Sequence, residues 1–232
     1  MGGVISLQHY LLDLPVKILY TIFMDNYIPI TREVMSEYKN SLYYYGETIY
    51  LLTNYQTLWY NKASRELQLN LDLQRRDAVF QALGVSRTTF SKWWGRLGSD
   101  EVIRTEGYLC LMPFQVWEKY AAKIQDMPAK TRNVYTKVFM YLYFNISASS
   151  NQWGNSVKNI AAALKMDHSK TSEIIIWLET NGFIERSNYA SSYGLSRNYF
   201  LPKQYWTDAR LYEEEQLKTQ KSLASYKKVN YN

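Results

Sequence analysis

Apolar residues return along this chain at two periods, and the places where one period gives way to the other predict its elements. In the stretch 86–97, Phe90, Trp94 and Leu97 recur on one helical face, and Ser86 stands just before them as an N-cap type residue. Upstream, 46–63 is apolar-periodic through Ile49, Leu52 and Tyr55 with Leu58 and Trp59, which predicts a long helix. Leu67, Leu69, Leu71 and Leu73 then alternate with polar residues, the period of a half-buried strand. Residues 74–83 read as helix, Gly84-Val85-Ser86 as a turn, and 103–112 as strand–turn–strand with Gly107 at the bend. The predicted order is helix, strand, helix, turn, helix, hairpin.

The flanks carry further signals. Asp13-Leu14-Pro15 is a helix start. The stripe Val16, Leu19, Tyr20 and Phe23 predicts a helix to about residue 25, broken at Tyr27-Ile28-Pro29, and Thr31 caps a second helix reaching Tyr38. An extension this apolar has to cover the following domain or a second subunit. Residues 113–127 read as a helical connector, and Pro128 restarts the chain. Residues 131–146 form the next helix, with Val134, Val138, Phe139, Leu142 and Tyr143 inward. A short strand fits at Gln152-Trp153, and Ser156 caps a helix ending near Met166-Asp167. Helix 169–181 then stops at Gly182. Strands are predicted at 183–187 and 198–201 around a polar tip, and 203–232 reads as a charged helix and tail whose run Glu213-Glu214-Glu215 is a solvated face.

Two of these units align without a gap. Leu83 pairs with Leu164, Ser86 with Asp167, Phe90 with Thr171, Trp94 with Ile175, Leu97 with Leu178 and Ile103 with Ile184, always 81 residues apart. A constant interval across cap, core and strand positions marks a duplicated unit. The expected fold is mainly α with small β-hairpin wings: two tandem winged helix-turn-helix domains plus a helical N-terminal extension. The boundaries read as extension 1–45, first domain 46–112, connector 113–129, second domain 130–202 and C-terminal helix and tail 203–232.

Charge and residue type then suggest chemistry. The net charge is +6, which permits a nucleic-acid partner without requiring one. In the first unit Arg87, Thr88, Ser91, Lys92 and Arg96 lie off the apolar face of the second helix, short or cationic groups suited to phosphate and base edges. In the second unit the corresponding residues are His168, Ser169, Lys170, Ser172 and Glu173, with Arg186 and Arg197 in the hairpin for phosphate or a minor groove. Trp93 beside Trp94, and Ile176 with Trp177, are more apolar than a DNA-facing helix requires; one of each pair is expected to be buried. The 22 tyrosines do not by themselves make a stacking surface. One cysteine, Cys110 in an apolar run, reads as a buried thiol, and two histidines leave no ligand set for zinc. No phosphate-binding glycine loop, metal cluster or nucleophile elbow is present, so neither enzymatic chemistry nor a cofactor is expected. No apolar run approaches a membrane span and no secretion signal opens the chain, so an intracellular, cytoplasmic location is expected.

The segments ALGVSRTTFSKWWGRL and IAAALKMDHSKTSEIIIWLETNGFIER resemble the helix-turn-helix pattern of bacterial winged-helix proteins. Two such units in tandem behind a helical extension look like plasmid and phage replication initiators that bind origin repeats. That resemblance covers about 46–201 and implies a sequence-specific partner, double-stranded DNA, with homodimer or higher self-association through one of the units. A transcription regulator at a promoter or transfer region fits the same residues. A winged-helix module that binds only protein is the alternative of another class.

Overall fold

A computed structural model describes residues 21–23, 27–52, 58–61, 66–70, 72–94, 100–104, 107–191 and 194–205. Of 21–23, 58–61, 66–70, 93, 100–104, 188–191 and 194–196 it describes the backbone only. The first half runs β1 (Thr21–Phe23), β2 (Tyr27–Ile30), α1 (Arg32–Glu37), α2 (Leu42–Leu52), β3 (Leu58–Asn61), β4 (Glu66–Asn70), α3 (Arg76–Leu83), α4 (Arg87–Trp94), β5 (Asp100–Arg104) and β6 (Cys110–Pro113). The second half runs α5 (Phe114–Ile124), α6 (Ala129–Ala148), β7 (Gln152–Asn155), α7 (Val157–Leu164), α8 (His168–Thr180), β8 (Glu185–Ser191) and β9 (Gly194–Phe200). The fold is mainly helical with small antiparallel sheets, as the periodicities predict.

Three strand assignments correct the sequence reading. Residues 21–23 are strand rather than the end of a helix, and they pair with β3, Ile22 opposite Tyr60. The long helix expected over 46–63 is already complete at Leu52, and Leu58–Asn61 is strand. The alternating Leu-Gln-Leu segment of β4 needs a ladder on each side to satisfy its backbone. It obtains one from aromatic-rich β3, where Trp59 faces Gln68, and one from β5, where Val102 faces Gln68. Leu, Trp and Tyr in succession suit a strand, so tertiary pairing overrides the helical spacing there. Finally, β5 and β6 do not pair with each other as a first wing: β5 pairs with β4, and β6 pairs with β2. Ile28 and Ile30 lie opposite Met112 and Cys110, and all four are fully buried. Burying those four apolar side chains decides the pairing. Pro29 is tolerated because this sheet has two strands, so each is an edge.

The second half follows its expected outline, with one extension. The predicted polar tip 188–197 is mostly strand, because β8 and β9 pair from Glu185 opposite Phe200 out to Ser191 opposite Gly194. β7 adds on the outer side of β9, giving the order β7-β9-β8. Ile184, matched to Ile103 in the repeat, precedes β8. The described residues beyond Leu201 form only the short 3-10 turn Lys203–Tyr205; the rest of the predicted C-terminal helix, like the helix start at 13–15, lies outside the described residues.

The buried side chains form one cluster running from Ile28 to Tyr205. The part of the N-terminal extension that is described therefore covers its own chain: Ile28, Ile30 and Val34 are buried in that cluster. At its centre lies α6, which buries eleven residues including Val138, Phe139, Leu142 and Tyr143. The segment read as a connector, α5, contributes Val116, Trp117, Tyr120 and Ile124 to the same core. Gly46 on α2 permits this packing, since a Cβ there would overlap the Trp117 ring. Many of the tyrosines are core residues whose hydroxyls find acceptors: Tyr45 donates to the Pro29 carbonyl (2.8 Å) and Tyr143 to the Tyr205 carbonyl (2.7 Å).

Candidate nucleic-acid interface

Each repeat builds the same local device. In the first, α3 ends at Leu83 and Gly84 takes the left-handed conformation (φ 57°) that closes it. Ser86 Oγ then accepts from the Thr89 amide (3.3 Å) to start α4. In the second, α7 ends at Leu164, Lys165 is left-handed (φ 51°), and Asp167 Oδ1 accepts from the Lys170 amide (2.9 Å) to start α8. Helix starts, left-handed residue and capping bond all recur 81 residues apart, the interval read from the sequence. The start of the second helix is thereby fixed in both units by the same kind of capping bond.

The inner faces differ in content. Phe90 is buried between Phe80 (ring centroids 5.0 Å) and Trp94 (5.3 Å), and the Arg76 guanidinium lies over both Phe90 and Trp94. Its counterpart Thr171 is fully buried and donates its hydroxyl to the Asp167 carbonyl (2.8 Å). On α8, Trp177 is half-buried, packed on Tyr135 and Phe183, while Ile176 is 49% exposed, so neither member of that pair is fully buried as expected. In the first unit Trp94 is half-buried.

The outer faces differ in free charge. Arg87, Thr88, Ser91 and Lys92 are all exposed along α4, and Arg96 lies outside the described residues. Arg87 and Lys92 form no ion pair among the described residues. His168 and Ser169 are exposed at the start of α8, and Ser172 is half-buried. Lys170 and Glu173 are engaged with each other (Nζ to Oε1, 2.6 Å), and Tyr135 donates to the same carboxylate oxygen (3.2 Å). That mutual bond pushes the lysine up and holds the carboxyl below its ordinary range. Arg186 on β8 pairs with Glu179 of α8, and its side chain is 15% exposed. Arg197 is half-buried on β9, opposite Asn155 and Asn188. Of the predicted residues, the four described ones of the first unit form one exposed row, whereas three of the second unit's charges are tied up locally.

One element of the arrangement has no counterpart in the sequence reading. The two carbonyls that close the first helix of each pair are both met by cations from α6. Arg132 Nη2 donates to the Leu83 carbonyl (2.7 Å) and Lys137 Nζ to the Leu164 carbonyl (2.5 Å). The acceptors are again equivalent positions. Arg132 also donates to Tyr43 Oη (3.2 Å) and lies over that ring at 4.7 Å. Near it, buried Glu47 accepts from Trp117 Nε1 (3.0 Å), and burial pushes its carboxyl up to about 7, against the pull of the Trp117 bond and the Arg132 charge. The sequence signal is three cations, Lys130, Arg132 and Lys137, in the first half of a helix that buries eleven residues.

No group of three His, Cys, Asp or Glu side chains among the described residues could hold a metal ion. No helix among them is long and apolar enough to cross a membrane. No protein-family model matches the chain, and neither a curated protein nor a solved structure matches it.

Proposed function

We propose that this protein binds double-stranded DNA with sequence preference through two helix-turn-helix units of the winged-helix type, and that it acts at the origin of a plasmid or phage as a replication initiator. The observation that carries the reading is the exposed row Arg87, Thr88, Ser91 and Lys92 on α4, held in place by the Ser86 cap. A helix of this kind presents cations to phosphate and hydroxyls to base edges in the major groove. The recurrence of the same turn in α7–α8 supports a repeated or pseudo-palindromic site, with two helices reaching successive grooves about 34 Å apart. In this reading the β8–β9 hairpin, residues 185–191 and 194–200, serves as the wing of the second unit.

Regulation of transcription at a promoter or transfer region uses the same contacts and differs in where the site lies. Selection of bound fragments from the parent genome, followed by footprinting, tests both: protection of repeats at an origin supports initiation, and protection of a promoter supports regulation. Absence of duplex binding at low salt overturns the DNA reading and leaves a protein-interaction module. A second role, self-association through the second unit, is favoured by Ile176, exposed on α8 beside the paired Lys170 and Glu173. Ile176→Glu is expected to shift the sedimenting species toward monomer; an unchanged distribution overturns that role.

A further inference from the structure

A second concentration of positive charge lies away from α4. Between α1, α6 and the end of α7 is an open cavity of about 780 Å³, and a smaller one of about 330 Å³ adjoins it. The two share Lys39, Asn40 and Lys137 in their walls. Arg32 and Lys165 line the larger, Lys130 the smaller, and no aspartate or glutamate lines either. None of these five cations forms an ion pair among the described residues. They come from three separate elements, so the cluster is a product of folding and not of one charged run. Met35, Tyr141 and Phe144 add apolar and aromatic surface to the lining of the larger cavity.

Two details distinguish this cluster from ordinary solvated lysines. Lys165 occupies a left-handed position, where the equivalent residue of the other unit is Gly84. Glycine takes that backbone without strain and lysine does not. The α7 carbonyl at Leu164 is capped by Lys137, leaving the Lys165 side chain free of that task. Lys137 is half-buried, and its ammonium is pushed below its ordinary range, first by burial and then by the charges of Lys39 and Lys165. Cations that repel one another in a concave site favour a multiply charged anion.

The geometry points to a phosphate-binding site in this cavity, sized for the polyphosphate chain of a nucleoside triphosphate. A multiply charged phosphate chain suits a cluster of five cations better than a lone carboxylate does, and Tyr141 in the same lining offers an aromatic surface for a base. The volume lies in the range of small-molecule sites. The same oxyanions also occur along a nucleic-acid backbone, so the source has to be separated by experiment. The site stands independently of the DNA reading, because no residue of α4 or α8 lines it.

The test is calorimetric titration of the full chain with tripolyphosphate, with ATP and with a short DNA duplex. Tripolyphosphate and ATP are expected to bind, and Arg32→Ala with Lys39→Ala to weaken both by roughly tenfold or more, since two nearby charges are removed. Lys165→Gly separates ligand from fold: it relieves backbone strain, so the thermal midpoint is held or raised while phosphate affinity falls. Arg87→Ala with Lys92→Ala is expected to leave phosphate binding unchanged, which distinguishes this site from the α4 face. If instead the Arg32/Lys39 variant loses duplex affinity and ATP fails to compete with duplex, the backbone is the phosphate source and the site stands. If neither phosphate nor duplex binding responds to Arg32, Lys39 and Lys165, the inference is overturned.

Discussion

The two helix-turn-helix units share their scaffold and differ in what they leave exposed. Both close the first helix with a left-handed residue, cap the second with an oxygen-bearing side chain, and receive a cation from α6 at the same carbonyl. In the first unit the outer face of the second helix keeps Arg87 and Lys92 exposed. In the second unit Lys170 is paired with Glu173, Arg186 with Glu179, and an isoleucine stands in the open. The geometry of the turn therefore constrains few positions, and the rest are free to diverge. Their sheets diverge too. The second unit closes its own β8–β9 hairpin, whereas the first lends β6 to the N-terminal strand β2.

The largest expected effect comes from breaking the link between units. Arg132→Ala removes the cation that caps α3 and bonds Tyr43, and each buried acceptor left without its donor costs about 1–3 kcal/mol. Chemical denaturation checks this, and hydrogen exchange is expected to rise first in α3 and α4. Lys137→Ala, whose side chain is only half-buried, is expected to cost less and to loosen α7 instead. Equal loosening of both units by either change would erase the distinction.

Acidity offers the next effect. Glu47 keeps its proton up to about 7 in the folded chain but releases it near 4.5 when unfolded. Between those values the native state holds more protons at this site, so the contribution of Glu47 to stability is fully present below about 4.5 and is lost as pH rises through about 7. Glu47→Gln keeps an acceptor for Trp117, and is expected to flatten that slope and to raise stability at pH 8 by roughly 1–3 kcal/mol. Urea titrations at several pH values check it.

At the turns the two units should respond with opposite sign. Gly84→Ala places a Cβ at positive φ and 3.2 Å from Arg132 Nη2, for a loss of about 1 kcal/mol or more. Lys165→Gly at the equivalent position is expected to be neutral or to gain about 0.5 kcal/mol. Thermal unfolding of the two single variants decides the matter.

The turn, both caps and α8 were legible because they depend on local chemistry: a hydroxyl or carboxylate before an apolar periodic run, a glycine or its substitute after one. In the structure the 81-residue interval extends to the left-handed residues Gly84 and Lys165 as well. What escaped was long-range. Leu58 and Trp59 continue a helical spacing, yet they follow the demand of β4 for a partner strand. The strand at 110–113 is drawn away from its expected hairpin partner by Ile28 and Ile30, about 80 positions earlier. Likewise, the residues expected at the interface follow from exposure on an idealised helix, which cannot reveal that Tyr135 and Lys170 both hold Glu173, or that Arg186 turns back onto Glu179. The same limit hid Arg132 and Lys137, whose acceptors lie on helices far apart in sequence.

The contrast in free charge leads to the measurement that bears most directly on function: the salt dependence of duplex binding for two paired variants on a selected site. Arg87→Ala with Lys92→Ala is expected to lower the slope of log affinity against log salt by about two units, nearly one for each phosphate that is no longer neutralised. His168→Ala with Ser169→Ala is expected to leave that slope nearly unchanged while reducing discrimination between sites. A wild-type slope in the first variant would contradict the account, since the exposed cations of α4 would then play no part in holding DNA.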